Sequence, residues 1–156
     1  KALHRRLKPL FPALGRMVLI VIDLDDTLIC STYITNEVLG NISSDSSLMY
    51  HPQQYVLNAI KPVEESAINV LLKALQSGVV VVVSNAKLGW ISYCLDTFFP
   101  NLRDIIIQKK IRLVSARELY EAQFPDNPLH WYDTYSLVSY SMRYITILVY
   151  YTMYKL

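Results

Sequence analysis

With 156 residues, 53% of them hydrophobic and 18% charged, the chain is long enough to bury one core and too apolar for a disordered protein. A formal net charge of +2 is too small to indicate nucleic-acid binding, so no nucleic-acid partner is expected. Residues 1–16 are interpreted as a basic, solvated segment that precedes a single domain over residues 17–156.

The first predicted element is a strand. Residues 17–22 form a continuous apolar run rich in β-branched side chains, which favours a strand buried on both faces of a parallel sheet. The run ends abruptly in the polar segment Asp23–Thr27. Residues 31–50 are polar, contain glycine and several serines, and are interpreted as a loop or small flap.

The second predicted unit consists of a helix, a strand and another helix. The helix is expected over residues 62–75, with acidic residues in its first turn and glycine just past its end. Five consecutive valines, Val79–Val83, predict the next strand, and Ser84–Ala86 predict a turn. An amphipathic helix over residues 88–99 is expected to stop at Pro100.

The remaining units are shorter. A third strand is predicted over residues 111–114, a helix over residues 116–123 and a fourth strand over residues 144–151. Strands that alternate with helices predict a parallel sheet covered on both faces, whose ligands bind beyond the carboxyl ends of the strands. The polar residues that pattern alone brings to this edge are Asp23, Asp25, Ser84, Asn85 and Ser115.

Asp23 and Asp25 are the candidate reactive pair. Residues two apart on an extended chain project to the same side, so both carboxylates would face one pocket, where Mg²⁺ would relieve their repulsion. An ionised aspartate can attack phosphorus, and a second acid can protonate the leaving oxygen and later activate water. The alternative interpretation is an acidic turn that caps a helix.

The string Asp23-Leu24-Asp25-Asp26-Thr27-Leu28 after a hydrophobic strand resembles motif I of the haloacid dehalogenase-like (HAD) superfamily. The resemblance implies that Asp23 is the nucleophile, that Asp25 is the general acid/base, and that Thr27 supports the turn. It also implies that Mg²⁺ is held by the Asp23 side chain and the Asp25 backbone carbonyl.

The valine strand followed by Ser84 resembles motif II of the same superfamily, in which this hydroxyl bonds the transferring phosphoryl group. Thr27, Ser84 and Asn85 are thereby implied as phosphate-binding residues, although Ser84 could equally serve as a helix N-cap. Residues 84–90 and 114–121 resemble a group of HAD-like proteins of lower eukaryotes, and the whole resemblance covers residues 18–131. It implies a Rossmann-like three-layer α/β sandwich with a small flap and no large cap.

Two motifs of the superfamily are not found. Where a motif III lysine is expected the sequence has Tyr132, and Lys87, Lys109 and Lys110 are possible substitutes. Motif IV would place acids after the fourth strand, yet no Asp or Glu follows Asp133. Residues 132–156 are therefore interpreted as truncated or degenerate, either through an error in the gene model or because the chain is a genuine degenerate member.

The sequence thus predicts a Mg²⁺-dependent phosphatase or phosphotransferase that acts through an aspartyl-phosphate on a phosphorylated substrate of unspecified class. The alternative is a catalytically inactive HAD-like binding protein. Two cysteines form no disulfide framework, so a reducing, cytoplasmic setting is expected, with targeting left open because the chain does not begin with Met. Arg143 interrupts the apolar C-terminal stretch, so no membrane partner is expected, although a membrane-associated tail is an alternative. The oligomeric state is left open.

Overall fold

The computed structural model describes residues 18–40, 52–125 and 127–131, together with the backbone of residues 145–149. These residues form a mixed α/β fold, as the sequence predicts. In chain order the elements are β1 (Val18–Asp23), α1 (Ser31–Tyr33) with its π-helical continuation (Ile34–Leu39), α2 (Gln54–Leu75), β2 (Val79–Ser84), α3 (Leu88–Phe98), α4 (Pro100–Gln108), β3 (Arg112–Ser115), α5 (Ala116–Tyr120) and β4 (Ile145–Val149).

The four strands form one parallel sheet in the order β3-β2-β1-β4. Asp23 pairs with Val83, and Ser84 pairs with Ser115, so the three strands that precede polar residues end at the same edge. The parallel sheet predicted from the alternation of strands and helices is confirmed. The fourth strand also forms, within the range expected for it.

Side chains on the strands alternate between two hydrophobic cores, because successive residues of a strand point to opposite faces of the sheet. One face packs under α2, α3 and α4, and its strand residues are Ile20, Ile22, Val80 and Val82. The other face packs against α5 and Trp131, and its strand residues are Leu19, Val21, Val81, Val83 and Val114. The expectation that both faces are covered is confirmed.

Helix α2 begins eight residues earlier than the sequence suggests. The prediction started the helix at Pro62, because acidic residues follow it as in a first turn, but Pro62 lies inside a helix that starts at Gln54. Two buried residues, Val56 and Ile60, extend the apolar stripe toward the N-terminus and anchor the preceding turns. Packing of this stripe offsets the hydrogen bond that proline cannot donate.

Helix α4 was missed, because Pro100 was taken only as the end of the preceding helix. Pro100 also occupies the first turn of α4, where its missing N–H costs nothing. The amino end of α4 has no side-chain cap of its own. The carboxylate of Glu64, from the middle of α2, accepts hydrogen bonds there from Asn101 N at 2.7 Å and Leu102 N at 3.0 Å.

Residues 31–50 were predicted as a loop or small flap, and a loop is wrong for residues 31–39, which are helical. Residues 41–50 lie outside the described residues. The buried side chains of Ile34 and Val38 hold residues 31–39 against the core, which the polar composition of the wider region concealed. Helix α5 is also shorter than predicted and ends at Tyr120. Within the described residues, no helix combines the length and the apolar character needed to cross a membrane.

Candidate active site

The site is built around a tight turn that follows β1. Leu24 is fully buried, and its N–H donates to Val83 O of the neighbouring strand at 2.9 Å. Its carbonyl accepts from Leu28 N at 3.0 Å and from Ile29 N at 3.1 Å. Asp26 adopts a left-handed backbone conformation with φ of 53°, which aspartate tolerates better than most residues. The buried Leu24 therefore fixes the turn from which the two flanking aspartates project.

Asp23, at the end of β1, is a carboxylate held by the turn. The Thr27 hydroxyl donates to Asp23 Oδ2 at 2.9 Å. Burial raises the pKa of Asp23 from 3.8 to about 6, an effect that the Thr27 hydrogen bond opposes and the neighbouring charges of Asp25 and Asp26 reinforce. Near neutral pH this group is mostly ionised yet poorly solvated, which suits a nucleophile.

Asp25 links β1 to β2. The Ser84 hydroxyl donates to Asp25 Oδ2 at 2.5 Å, although the two residues lie 59 positions apart in the chain. Burial raises the pKa of Asp25, while hydrogen bonds from Ser84 and Ser31 lower it and the charge of Asp26 raises it. A carboxyl group that holds its proton more firmly than usual is suited to general acid catalysis.

The hydroxyl of Ser84 is fully committed in this arrangement. Ser84 is completely buried, donates its proton to Asp25 and accepts from Ala86 N at 2.9 Å. A hydroxyl has a single proton to donate. In this arrangement the single proton of Ser84 is donated to Asp25, so a hydrogen bond from Ser84 to any other acceptor would replace the one to Asp25.

The other predicted edge residues also bond to protein groups. Asn85 Nδ2 donates to Pro128 O at 3.2 Å, while Asn85 Oδ1 is buried without a partner among the described residues. Ser115 caps α5, accepting from Glu118 N at 3.1 Å, and donates to Ala86 O at 2.7 Å. The structure thus brings all five residues to one edge, but Ser115 supports the loop after β2 rather than facing a ligand through its hydroxyl.

Sequence reasoning missed the residues that tie α1 to the turn. Asp26 accepts from Thr32 N at 2.9 Å and from Thr32 Oγ1 at 2.5 Å. Ser31 is buried, and its hydroxyl donates to Asp26 Oδ1 at 3.3 Å. A hydrogen bond from Ser31 also lowers the pKa of Asp25, against the larger effect of burial. The available signal was the pair Ser31-Thr32 after an aspartate, since such residues favour helix starts.

Topology separates the three lysines considered as substitutes for the missing motif. Lys109 and Lys110 follow α4 and precede β3, so they lie at the amino end of the strands, opposite to the aspartates. Lys87 follows β2 and lies at the carboxyl end, where it is exposed. Its charge acts on Glu121, whose pKa is lowered first by Arg117 and to a smaller extent by Lys87. Tyr132 lies outside the described residues.

The metal-binding potential of this edge rests on Asp23 and Asp25. No cluster of three or more His, Cys, Asp or Glu side chains suited to a metal occurs in the part of the chain that the structure describes. The register of β4 pairs Val149 with Ile22, one residue before Asp23. The next two residues in the sequence are tyrosines, which lie outside the described residues, so the sequence supplies no carboxylate directly after β4.

No family model, curated protein or solved structure matches this chain. The similarity of residues 23–28 and 79–84 to two HAD motifs is therefore an expectation that comes from the sequence alone. The partly buried carboxylates of Asp23 and Asp25 lie with the Ser84 hydroxyl at the carboxyl ends of β1 and β2. A proposed function must explain this arrangement.

Proposed function

We propose that the protein is a Mg²⁺-dependent phosphatase or phosphotransferase of the HAD type that acts through an aspartyl-phosphate. One observation carries the proposal. Asp23 and Asp25 lie at the end of β1, and burial raises the pKa of both carboxyl groups. Asp25 accepts a hydrogen bond from Ser84, at the end of the adjacent parallel strand. Ligands of parallel α/β sheets bind at this edge.

The proposal includes a HAD-type three-layer sandwich with a small flap and no large cap. The all-parallel order with β1 inside the sheet and the two hydrophobic cores on its faces support it. A cytoplasmic setting belongs to the same proposal and is supported by the free thiols of Cys30 and Cys94. The proposed substrate is a phosphorylated compound.

In the proposed reaction, a carboxylate oxygen of Asp23 attacks phosphorus while the bond to the leaving oxygen breaks. Asp25 gives its proton to that leaving oxygen, for which its raised pKa prepares it. Water then attacks the phosphoryl group on Asp23 and passes a proton to Asp25, which releases inorganic phosphate and restores both carboxyl groups. The Thr27 hydrogen bond keeps the Asp23 carboxylate in a fixed orientation throughout.

The residues present fit a magnesium ion. Mg²⁺ is commonly bound through one or two carboxylates, with substrate phosphate and water as its other ligands. Asp23 supplies such a carboxylate, because burial and repulsion from Asp25 raise its pKa and a cation would relieve both effects. The Asp23 side chain and the Asp25 backbone carbonyl would hold the ion. Bound there, Mg²⁺ would neutralise charge on the phosphoryl oxygens.

The test is hydrolysis of a generic aryl phosphate with Mg²⁺ or with EDTA. Asp23→Asn is expected to lower kcat by roughly 10³-fold or more, because the nucleophile is lost. Asp25→Asn should lower it by about 10²- to 10⁴-fold. Asp104→Asn is the matched control, because Asp104 is an exposed partner of Arg103 on α4. Equal rates for wild type and Asp23→Asn would reject the assignment.

A second candidate function is binding without turnover. It is favoured by the absence of any Asp or Glu after Asp133 in a sequence whose β4 runs beside β1. This candidate predicts that the folded chain binds inorganic phosphate but hydrolyses no member of a panel of phosphate esters. Turnover that disappears in Asp25→Asn would exclude it.

A further inference from the structure

The loop that carries Ser84 is held by the last residue of β3 and by the first turn of α5. We define the β2–α3 loop as residues 84–88, which includes the last residue of β2 and the first residue of α3. Ser115 Oγ donates to Ala86 O of this loop at 2.7 Å, and Leu88 N at its end donates to Glu118 Oε1 at 2.8 Å. Within the loop, Ala86 N donates to Ser84 Oγ at 2.9 Å. Two side chains of one segment thus fix the loop on either side of Lys87.

Glu118 has an unusual partner for its position in sequence. Ser115 and Glu118 have the spacing of a capping box, in which the glutamate normally accepts from the backbone N–H of the capping serine. Half of this motif is present, since Glu118 N donates to Ser115 Oγ at 3.1 Å. The Glu118 carboxylate instead accepts from Leu88 N, at the start of a different helix. Ser115 itself lies in β3, opposite Ser84.

Helix α3 needs this external acceptor. Its N-cap residue is Lys87, whose side chain makes no capping hydrogen bond. The lysine side chain has no acceptor to offer, and the first N–H group of α3 bonds a side chain from outside the helix. Glu118 supplies that acceptor and places a negative charge at the amino end of an 11-residue helix.

We propose that Glu118 is a positioning residue for the β2–α3 loop, which carries the proposed phosphate-binding residues Ser84 and Asn85. Together with Ser115 it holds the β2–α3 loop so that Ser84 stays in contact with Asp25, beside the carboxylate of Asp23 that is proposed to attack phosphorus. This inference rests on the proposed function. Glu118 acts through the loop backbone and touches neither of the reacting carboxyl groups.

Glu118→Ala and Glu118→Gln in the full chain test the inference with two readouts. The first is amide hydrogen exchange in the peptide that covers residues 84–90, which needs no activity. The second is binding of inorganic phosphate, together with KM and kcat for an aryl phosphate. The matched control is Glu65→Ala, because Glu65 is exposed on α2 and pairs only loosely with Lys61, at 3.9 Å.

Glu118→Ala is expected to accelerate exchange of the Leu88 amide about tenfold and to weaken phosphate binding by a similar factor, with a matching rise in KM. Glu118→Gln should recover much of both effects, because its amide oxygen can still accept from Leu88 N. A role limited to stability would lower Tm in both variants without changing phosphate affinity in the folded chain.

The outcomes separate the inference from the function on which it rests. A wild-type chain that neither binds phosphate nor shows turnover dependent on Asp23 would overturn the proposed function. It would also overturn the inference that Glu118 holds the loop for phosphate binding. Unchanged exchange at Leu88 in Glu118→Ala would overturn the inference even in an active enzyme. Faster exchange with unchanged phosphate affinity would show that the loop is held by Glu118 but not for the ligand, and would equally overturn it.

Discussion

Glu64 offers the sharpest test of how the helices are held together. Its side chain is 6% exposed, and it accepts from Asn101 N, Asn101 Nδ2 and Leu102 N at 2.7, 2.9 and 3.0 Å. Glu64→Ala removes all three hydrogen bonds at the amino end of α4. Leu102 is fully buried, so its N–H is left without a partner at a cost of about 1–3 kcal/mol. Loss of the negative cap adds about 1 kcal/mol.

We therefore expect Glu64→Ala to lower the free energy of unfolding by about 2–4 kcal/mol. Glu64→Gln keeps an oxygen for the two backbone N–H groups and should cost only about 1 kcal/mol. Urea denaturation with linear extrapolation measures both values, provided that the slope with denaturant is unchanged. Glu65→Ala, at the exposed neighbouring position, should lie within about 0.5 kcal/mol of wild type. A Glu64→Ala loss no larger than that of Glu65→Ala would refute the reasoning.

Three further predictions follow from the described residues. Because the folded state raises the pKa of Asp23 from 3.8 to about 6, its contribution to stability is present below about pH 4 and is lost as pH rises through about 6. Asp23→Asn should therefore raise the free energy of unfolding by about 1–3 kcal/mol over wild type near pH 7 and by almost nothing near pH 4. Urea titrations that show the same effect at both pH values would contradict this. Gly78→Ala should lower the free energy of unfolding by about 2 kcal/mol or more, because a Cβ there would lie 2.2 Å from Val18 O. Gly89→Ala should raise it by about 0.5–1 kcal/mol, because a Cβ there meets nothing within 4 Å. Thermal melts that show Gly78→Ala to be as stable as Gly89→Ala would refute this prediction. Burial raises the pKa of the Cys94 thiol to about 12, so an alkylating reagent should modify Cys94 only in denaturant. Mass spectrometry detects the modification, and rapid alkylation of Cys94 in the native chain would contradict the prediction.

The strands could be predicted because their signals are local. Five valines in a row, or an unbroken apolar run before Asp23, have few structural alternatives to a buried parallel strand. The edge where Asp23, Asp25 and Ser84 meet followed from the predicted parallel direction of the strands, since all parallel strands end on the same side of the sheet. The prediction of the site therefore needed no knowledge of side-chain contacts.

The missed features depend on contacts between distant residues. Pro100 follows one helix and lies in the first turn of another, and the carboxylate of Glu64, 37 residues away from Asn101, caps that second helix. Glu118 has the spacing of a local cap but bonds Leu88, 30 residues earlier. Propensity and periodicity carry no information on such pairs, because the partner is chosen by tertiary packing.

The most direct test of the central claim is to identify the phosphorylated residue. The chain is incubated with Mg²⁺ and an aryl phosphate, quenched in acid, digested and analysed by mass spectrometry. In Asp25→Asn, where activation of water is impaired, we expect a phosphoryl group to accumulate on Asp23, and we expect none in Asp23→Asn. Phosphorylation of another residue, or turnover that persists without Asp23, would contradict the account.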